Sequence, residues 1–419
     1  MCKRLLPSLA AICCFYTFGT SVWGQASPRI PEKLTLKAAQ TLLQGNPSLQ
    51  ASRLEIDVEK GDIIGAEKYP NPSLSFLADG WVLDSDRGSF IDRFQPSLTV
   101  RQEIPTAGRR GKRVRIEQED VEIASMRLGE LNRRLSFDLK QTYFQVVLFQ
   151  HDLDLASEIL DRFREIVRLN QMRNAVGEIS GGELRRSEAA EYRFFAEVVN
   201  AETRLGSAKS ELLALLGSTD FSRSFAAVDG FETSFLPPPE TELRETALRQ
   251  RPDLAVARAQ IRRSNSVIEF EQAQSKPNIA AIGGYKRELD SSGPVLGVEI
   301  PLFVSNRNQG ATHRARAEKQ VLENRLLFSQ INVFKGIRTA LQRFEGDRRR
   351  VDALENDYLS KAEQARAITE ASYRLGEASL IEFLDAQRTY VETRLLYNRA
   401  RYDLQISRAT LELAIGEDL

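Results

Sequence analysis

Proline is absent from two long intervals of this 419-residue chain, between Pro105 and Pro237 and again beyond Pro301. Because proline breaks helix interiors, its distribution maps where long helices can run. In the second interval apolar residues fall on a heptad seam of Ile337, Ala340, Phe344, Val351, Leu354, Tyr358, Ala365, Ile368 and Leu375, with Asp347, Lys361 and Ser372 as polar members. The first interval carries Leu139, Val146, Phe149, Leu153, Ala156, Leu160, Phe163 and Val167 in the same manner. A helix from about residue 108 to about 173 would be roughly 100 Å long at about 1.5 Å per residue, more than any compact domain spans. Charged residues at 28% and apolar ones at 42% suit such rods better than a globule.

Outside these intervals the period changes from helical to two. Ser73 to Ala78, Ser97 to Ile104, Ile279 to Arg287 and Val295 to Leu302 alternate as strands do, and in the last Leu296, Val298, Ile300 and Leu302 share one face. Each pair reads as a hairpin, the first looping through Asp84 to Arg93, the second turning at Asp290 to Gly293. A hairpin alone buries too little and leaves two open edges, so four such strands need partners.

The N-terminus has the form of an export signal: basic Lys3 and Arg4, an apolar run from Leu5 to Phe18, and a small-x-small site at Gly24-Gln25-Ala26. All three cysteines, Cys2, Cys13 and Cys14, lie in this leader, so the mature chain is expected to have no disulfide. Lipidation at Cys13 is disfavoured by Ile12, where a lipoprotein signal wants a small residue. Basic and acidic residues balance at 58 each, which gives no reason to expect nucleic acid as a partner. No later apolar run reaches the length of about 20 residues that a membrane-spanning helix needs, so a membrane role would fall to strands closed into a barrel.

The chain also reads as an internal duplication. Val176 to Gly217 lies without gaps on Leu375 to Gly416, matching Gly177 with Gly376, Glu178 with Glu377, Ser180 with Ser379, Glu183 with Glu382 and Gly217 with Gly416. Asn46-Pro47-Ser48-Leu49 parallels Arg251-Pro252-Asp253-Leu254, and Glu103-Ile104-Pro105 parallels Glu299-Ile300-Pro301. The expected units are a signal peptide (1–26), a first repeat (27–217), a linker or equatorial segment (218–240) and a second repeat (241–419). The first repeat has strands near 72–82 and 96–104, a long helix near 108–173 and a return helix near 182–216. The second has strands near 279–288 and 294–303, a long helix near 307–373 and a return helix near 380–415.

This doubled order, with Asn46-Pro47-x-Leu49, Pro70-Asn71-Pro72 and the Val/Leu-Gly-Glu-x-Ser breaks, resembles the outer membrane efflux protein family, the TolC-like channels of tripartite pumps. The run Glu103 to Arg113 is more similar to the CzcC-like heavy-metal branch than to the multidrug or secretion branches, although an Arg/Lys cluster beside lipid headgroups would look the same. The resemblance implies a mainly helical fold with a β-barrel contribution. Each chain of a homotrimer would give four strands to one twelve-stranded barrel in the outer membrane, continued by a helical tunnel through the periplasm. It implies as partners a periplasmic adaptor (membrane fusion protein) and an inner membrane transporter of the RND type, with outer membrane lipid around the barrel. It implies a passive exit duct without cofactor or catalytic residues.

It further implies that the breaks between long and return helices are periplasmic tips that meet the adaptor: Val176, Gly177, Glu178 and Ser180 in the first, Leu375, Gly376, Glu377 and Ser379 in the second. Glu382 and Asp385 match a pair of acids that narrow the lumen in the family; as first-turn residues they would equally stabilise a helix N-terminus. Tyr373 matches a gating tyrosine just before the tip, and is also at a position suited to coiled-coil packing. Ala378 stands where the family's gate has an arginine, which leaves Arg374 or Arg185 to replace it.

The only histidines, His151 and His313, fall on expected helices without a second ligand at metal spacing, and no nucleophile motif or phosphate-binding loop occurs, which argues against an enzyme. A soluble periplasmic coiled-coil scaffold or adaptor is the competing reading. It would have no use for the four alternating strands.

Overall fold

The computed structural model describes residues 29–79, 94–288 and 291–419. The leader with its three cysteines, the loop Asp84 to Arg93 and Asp290 lie outside them. Along the chain run β1 (Lys33–Leu34), α1 (Leu36–Leu43), α2 (Pro47–Ala66), β2 (Ser73–Asp79), β3 (Gln95–Ile104), α3 (Arg109–Ala175) and α4 (Gly181–Leu215). After β4 (Ala226–Ala227) and α5 (Glu240–Gln250) come α6 (Pro252–Ala273), β5 (Ile279–Arg287), β6 (Ser292–Glu299) and α7 (Gln309–Ala353). A π-helical turn (Leu354–Tyr358) then leads into α8 (Leu359–Leu375) and α9 (Leu380–Ile415). The chain is mostly helical, and no described helix is long and apolar enough to cross a membrane.

Local chemistry sets the helix starts. Pro47 and Pro252 occupy first-turn positions of α2 and α6, where no backbone N–H is needed. Asn46 caps α2 by accepting from Ser48 N at 2.8 Å, and its amide donates to Leu215 O at 2.7 Å, tying the start of α2 to the end of α4.

Strands β1 and β4 pair in parallel, and the other four form one antiparallel sheet in the order β2-β3-β5-β6. Its register aligns Phe76 with Leu98, Leu98 with Tyr285, Val100 with Gly283 and Gly283 with Leu296. One face therefore carries Leu74, Phe76, Leu98, Val100, Tyr285, Leu296 and Val298, all exposed, Leu296 by 86%. The opposite face carries Ser73, Ser75, Ser97, Thr99, Arg101 and Glu299, and Arg101 reaches across β5 to pair with Glu299 at 3.0 Å. Strand β2 pairs only with β3 and β6 only with β5, so each leaves one ladder edge without a strand partner among the described residues.

The rods pack side by side, α3 against both α4 and α9, and α7 against α9 and α6. Because α3 packs on several helices, α1, α2 and α6 as well as α4 and α9, it needs a second seam beyond the one legible by heptads: Tyr143, Val147, Leu155, Ile159, Ile166 and Asn170 are buried as well. Around its middle a core of Leu34, Leu43, Leu139, Tyr143, Leu212 and Phe225 forms, where the Tyr143 hydroxyl donates to Leu34 O and lies 2.8 Å from Asp229. Nearby, Lys140 on α3 pairs with Glu412 on α9 at 2.6 Å and with Asp418. Arg408 also holds Glu412, at 3.2 Å, and pairs with Glu232.

The second rod departs from its expected seam. Residues Ile337, Ala340, Phe344, Asp347 and Val351 are buried as the heptad requires, and Leu354 packs on the Phe344–Val351–Tyr397–Leu404 cluster. The next residue on that cluster is Leu359, five positions on, whose N–H bonds to Leu354 O. A π turn inserts one residue into the helix. Beyond it the inward positions are each one later than expected: Arg366 and Tyr373 are buried, whereas Tyr358, Ile368 and Leu375 are exposed.

Candidate functional site at the helical tips

Both turns between a long helix and its return helix are built alike. At the end of α3, Gly177 takes φ 81° and donates to Asn174 O while Glu178 N bonds to Arg173 O; at the end of α8, Gly376 takes φ 83° and donates to Tyr373 O while Glu377 N bonds to Ser372 O. These paired bonds are the Schellman termination, which needs a residue with positive φ and so favours glycine. Val176 and Leu375, the residues just before the glycines, point into solvent with 74% and 73% exposure. Each return helix is then started by a serine: Ser180 accepts from Glu183 N at 3.1 Å, and Ser379 accepts from Glu382 N at 3.3 Å.

In the second tip the cap is reciprocal. The Glu382 carboxylate accepts from Ser379 N at 2.7 Å and from its hydroxyl at 2.9 Å, completing a capping box. Hydrogen bonds from the Ser379 backbone, and then from its side chain, hold the Glu382 carboxyl below its usual range. That contribution is present above the ordinary carboxylate pKa and is lost as pH falls through the depressed one. Asp385, one turn on, is exposed and pairs with Arg388 at 2.6 Å. The two acids share one side of α9 but do different things: Glu382 is tied back to the turn, while Asp385 lies in a groove of about 530 Å³ between α3, α4 and α9.

Tyr373 sits inside the protein. It stacks on Phe383 (centroids 5.4 Å apart, planes 11° from parallel), joins Phe163, Ile166, Val167 and Leu380 in a core, and donates its hydroxyl to Asn170 at 2.8 Å. Burial pushes its phenol pKa up. The packing role left open for it is thus realised, and its hydroxyl makes a specific link from α8 to α3.

An arginine reaches the second tip from the end of the other long helix. Arg173, at the end of α3, donates to Tyr373 O at 3.1 Å and to Arg374 O at 2.8 Å, and its Nε lies 3.4 Å from Glu178. Of the two candidates from sequence, Arg374 pairs with Glu370 at 2.9 Å and approaches Glu165 at 3.7 Å, and Arg185 pairs with its own neighbour Glu188. Ala378 packs on the apolar core of the tip. An open cleft of about 1080 Å³ separates the two tips, lined by Glu178, Glu183 and Arg193 on one side and Glu377, Ser379 and Glu382 on the other. Sequence reasoning missed Asn170 and Arg173. The Ser-x-x-Glu spacing of both return helices was the available signal for the caps.

Far along the rods from the tips, Glu59 and Asp62 of α2 meet Glu117 of α3 with carboxylate oxygens within 4.8 Å. Burial first, and the neighbouring carboxylates of Asp120 and Asp62 next, raise the Glu117 pKa.

The sequence profile of the outer membrane efflux protein family matches residues 38–218 and again 243–417. The chain is 26% identical over 367 residues to the cobalt-zinc-cadmium resistance protein CzcC of Cupriavidus metallidurans, covering 87% of this chain and 85% of that one. It is 22% identical over 391 residues to the cation efflux system protein CusC of Escherichia coli O157:H7, covering 89% and 84%. Among solved structures, a crystal structure of CusC superimposes with a TM-score of 0.75 at 20% identity over 91% of this chain and 92% of that one.

Proposed function

Because this chain belongs to the outer membrane efflux protein family, we propose that it works as the passive exit duct of a tripartite efflux system, and that its cargo is heavy-metal cations. The observation that carries the duct reading is the sheet. It has one mainly apolar face, one mainly polar face and two edges without a strand partner among the described residues, which is the pattern of a barrel segment with lipid outside and water inside. Three copies joined edge to edge would close twelve strands and leave no free ladder. The rods below would then continue the barrel as a tunnel into the periplasm, with the tips Val176–Ser180 and Leu375–Ser379 meeting a periplasmic adaptor that couples the duct to an inner membrane transporter, of the RND type.

Likeness along most of the chain to proteins named for cobalt, zinc and cadmium resistance and for cation efflux supports the cargo. The duplicated order of elements supports descent of the two halves from one unit, with 27–217 and 241–419 as the repeats. Deleting the gene is expected to lower tolerance to cobalt, zinc or cadmium salts and leave tolerance to dyes and drugs intact. The reverse pattern would rule out the metal reading, and recovery of the protein from the soluble periplasmic fraction would rule out the duct.

At the tips the latch is Arg173 on the carbonyls of Tyr373 and Arg374, with Tyr373 on Asn170 beside it. Glu382 and Asp385 in three copies would give two rings of carboxylates at the narrow end, able to concentrate cations. Changing both to alanine is expected to weaken cation selectivity and block by multivalent cations in single-channel recordings. Currents unchanged from the parent would remove both acids from the gate.

A further inference from the structure

The π turn leaves a stripe of the second rod without a partner in its own chain. Tyr358, Ala365 and Ile368 stand on the original heptad seam, yet after the inserted residue they point away from α9, Tyr358 with 59% and Ile368 with 68% exposure. A second stripe lies on the return helix of the other half. Tyr192, Phe195 and Val199 of α4 recur at three- and four-residue spacing, are 70%, 46% and 42% exposed, and lie opposite the face that α4 buries against α3 through Ser187, Ala190, Ala201 and Leu205.

We propose that the π turn hands the seam of the second rod from its own chain to a neighbour, so that Tyr358, Ala365 and Ile368 of one copy pack against Tyr192, Phe195 and Val199 of the next. The inference rests on the trimeric duct reading and names the contact that closes the ring below the barrel.

Three observations commit the stripe to a second copy. The patches are different surfaces of one chain, so their contact is head-to-tail, the kind that generates a ring. Their heights agree. At about 1.5 Å per residue from the ends nearest the turns, Tyr358, at the head of α8, lies roughly 25 Å from its lower end and Val199 roughly 27 Å up α4, with Ala365 and Tyr192 both near 16 Å. Their directions agree too, because α8 runs toward the tips and α4 away from them, giving an antiparallel pair in which the small Ala365 meets the large Tyr192. Such a pair buries two seams that would otherwise stay wet. The turn also explains which residues the second rod keeps for itself. Without the insertion Lys361 would face α9. With it Lys361 is exposed beside Asp357 at 2.5 Å, and Arg366, over the Tyr390 ring, and Tyr373 take the inward places.

The test is cysteine cross-linking in outer membranes carrying the full chain. Two double variants, Tyr358→Cys with Val199→Cys and Ala365→Cys with Tyr192→Cys, are treated with a short bismaleimide. The expected result is bands at two and three chain masses on denaturing gels, absent from each single variant. Deleting Asn356 from the π turn in either background is expected to cut the cross-linked fraction at least tenfold, because the stripe rotates back toward α9. A detergent-extracted trimer in which neither pair cross-links overturns the contact and leaves the duct reading standing. Cross-linking that persists after the deletion overturns the role of the π turn. A monomer in detergent would instead bring down the trimer reading itself.

Discussion

Lys140→Met should lower the unfolding free energy by about 3 kcal/mol, the cost typical of removing one partner from a buried ion pair. Lys140 is only 9% exposed, and its loss leaves Glu412, 8% exposed, with Arg408 as its remaining cation. Burial works against the Lys140 ammonium, but Glu412 and Asp418 outweigh it and hold its pKa above the ordinary lysine value. A raised pKa stabilises the fold fully below the unfolded-state value and is lost as pH rises through the folded one, so the parent should weaken only above about pH 10. Guanidinium unfolding followed by helical circular dichroism measures the change. Lys140→Met with Glu412→Leu should recover most of the loss, since the uncompensated carboxylate goes with it. A Lys140→Met midpoint matching the parent would show that Arg408 alone satisfies Glu412.

Tyr373→Ala is expected to cost about 3 kcal/mol or more, because it removes a buried ring from a stack and leaves a cavity among Phe163, Ile166 and Leu380. Tyr373→Phe keeps the ring and loses only the bond to Asn170, about 1 kcal/mol. The pair of variants separates packing from latching. If the hydroxyl helps hold the tips together, Tyr373→Phe should raise open probability in planar bilayers while its unfolding midpoint moves little. An unchanged open probability would confine Tyr373 to packing.

Much of the fold could be read from the sequence because its signals are long and redundant. Two proline-free intervals with heptads describe rods whatever their neighbours are, and alternation at Leu74-Phe76, Leu98-Val100 and Leu296-Val298 assigns the apolar face of the sheet whatever closes it. What escaped was short or relational. The π turn is a single inserted residue in Leu354-Glu355-Asn356-Asp357-Tyr358, with no glycine or proline to mark it, yet it moves every inward position from Leu359 to Tyr373 by one. The second seam of α3 is invisible until α9 is known to lie against it. At the tips, Glu382 was legible as a cap from Ser379-x-x-Glu382, whereas Arg173 was not legible as a bridge between the tips, because what it grips is backbone.

That grip has a genetic consequence. The carbonyls of Tyr373 and Arg374 exist whatever side chains those positions carry, so substitutions along the second tip cannot erase the acceptors. Only the donor end can be lost by point mutation, at Arg173. Variants that lose this bridge should therefore fall at Arg173, while changes of side chain at Arg374 leave it in place.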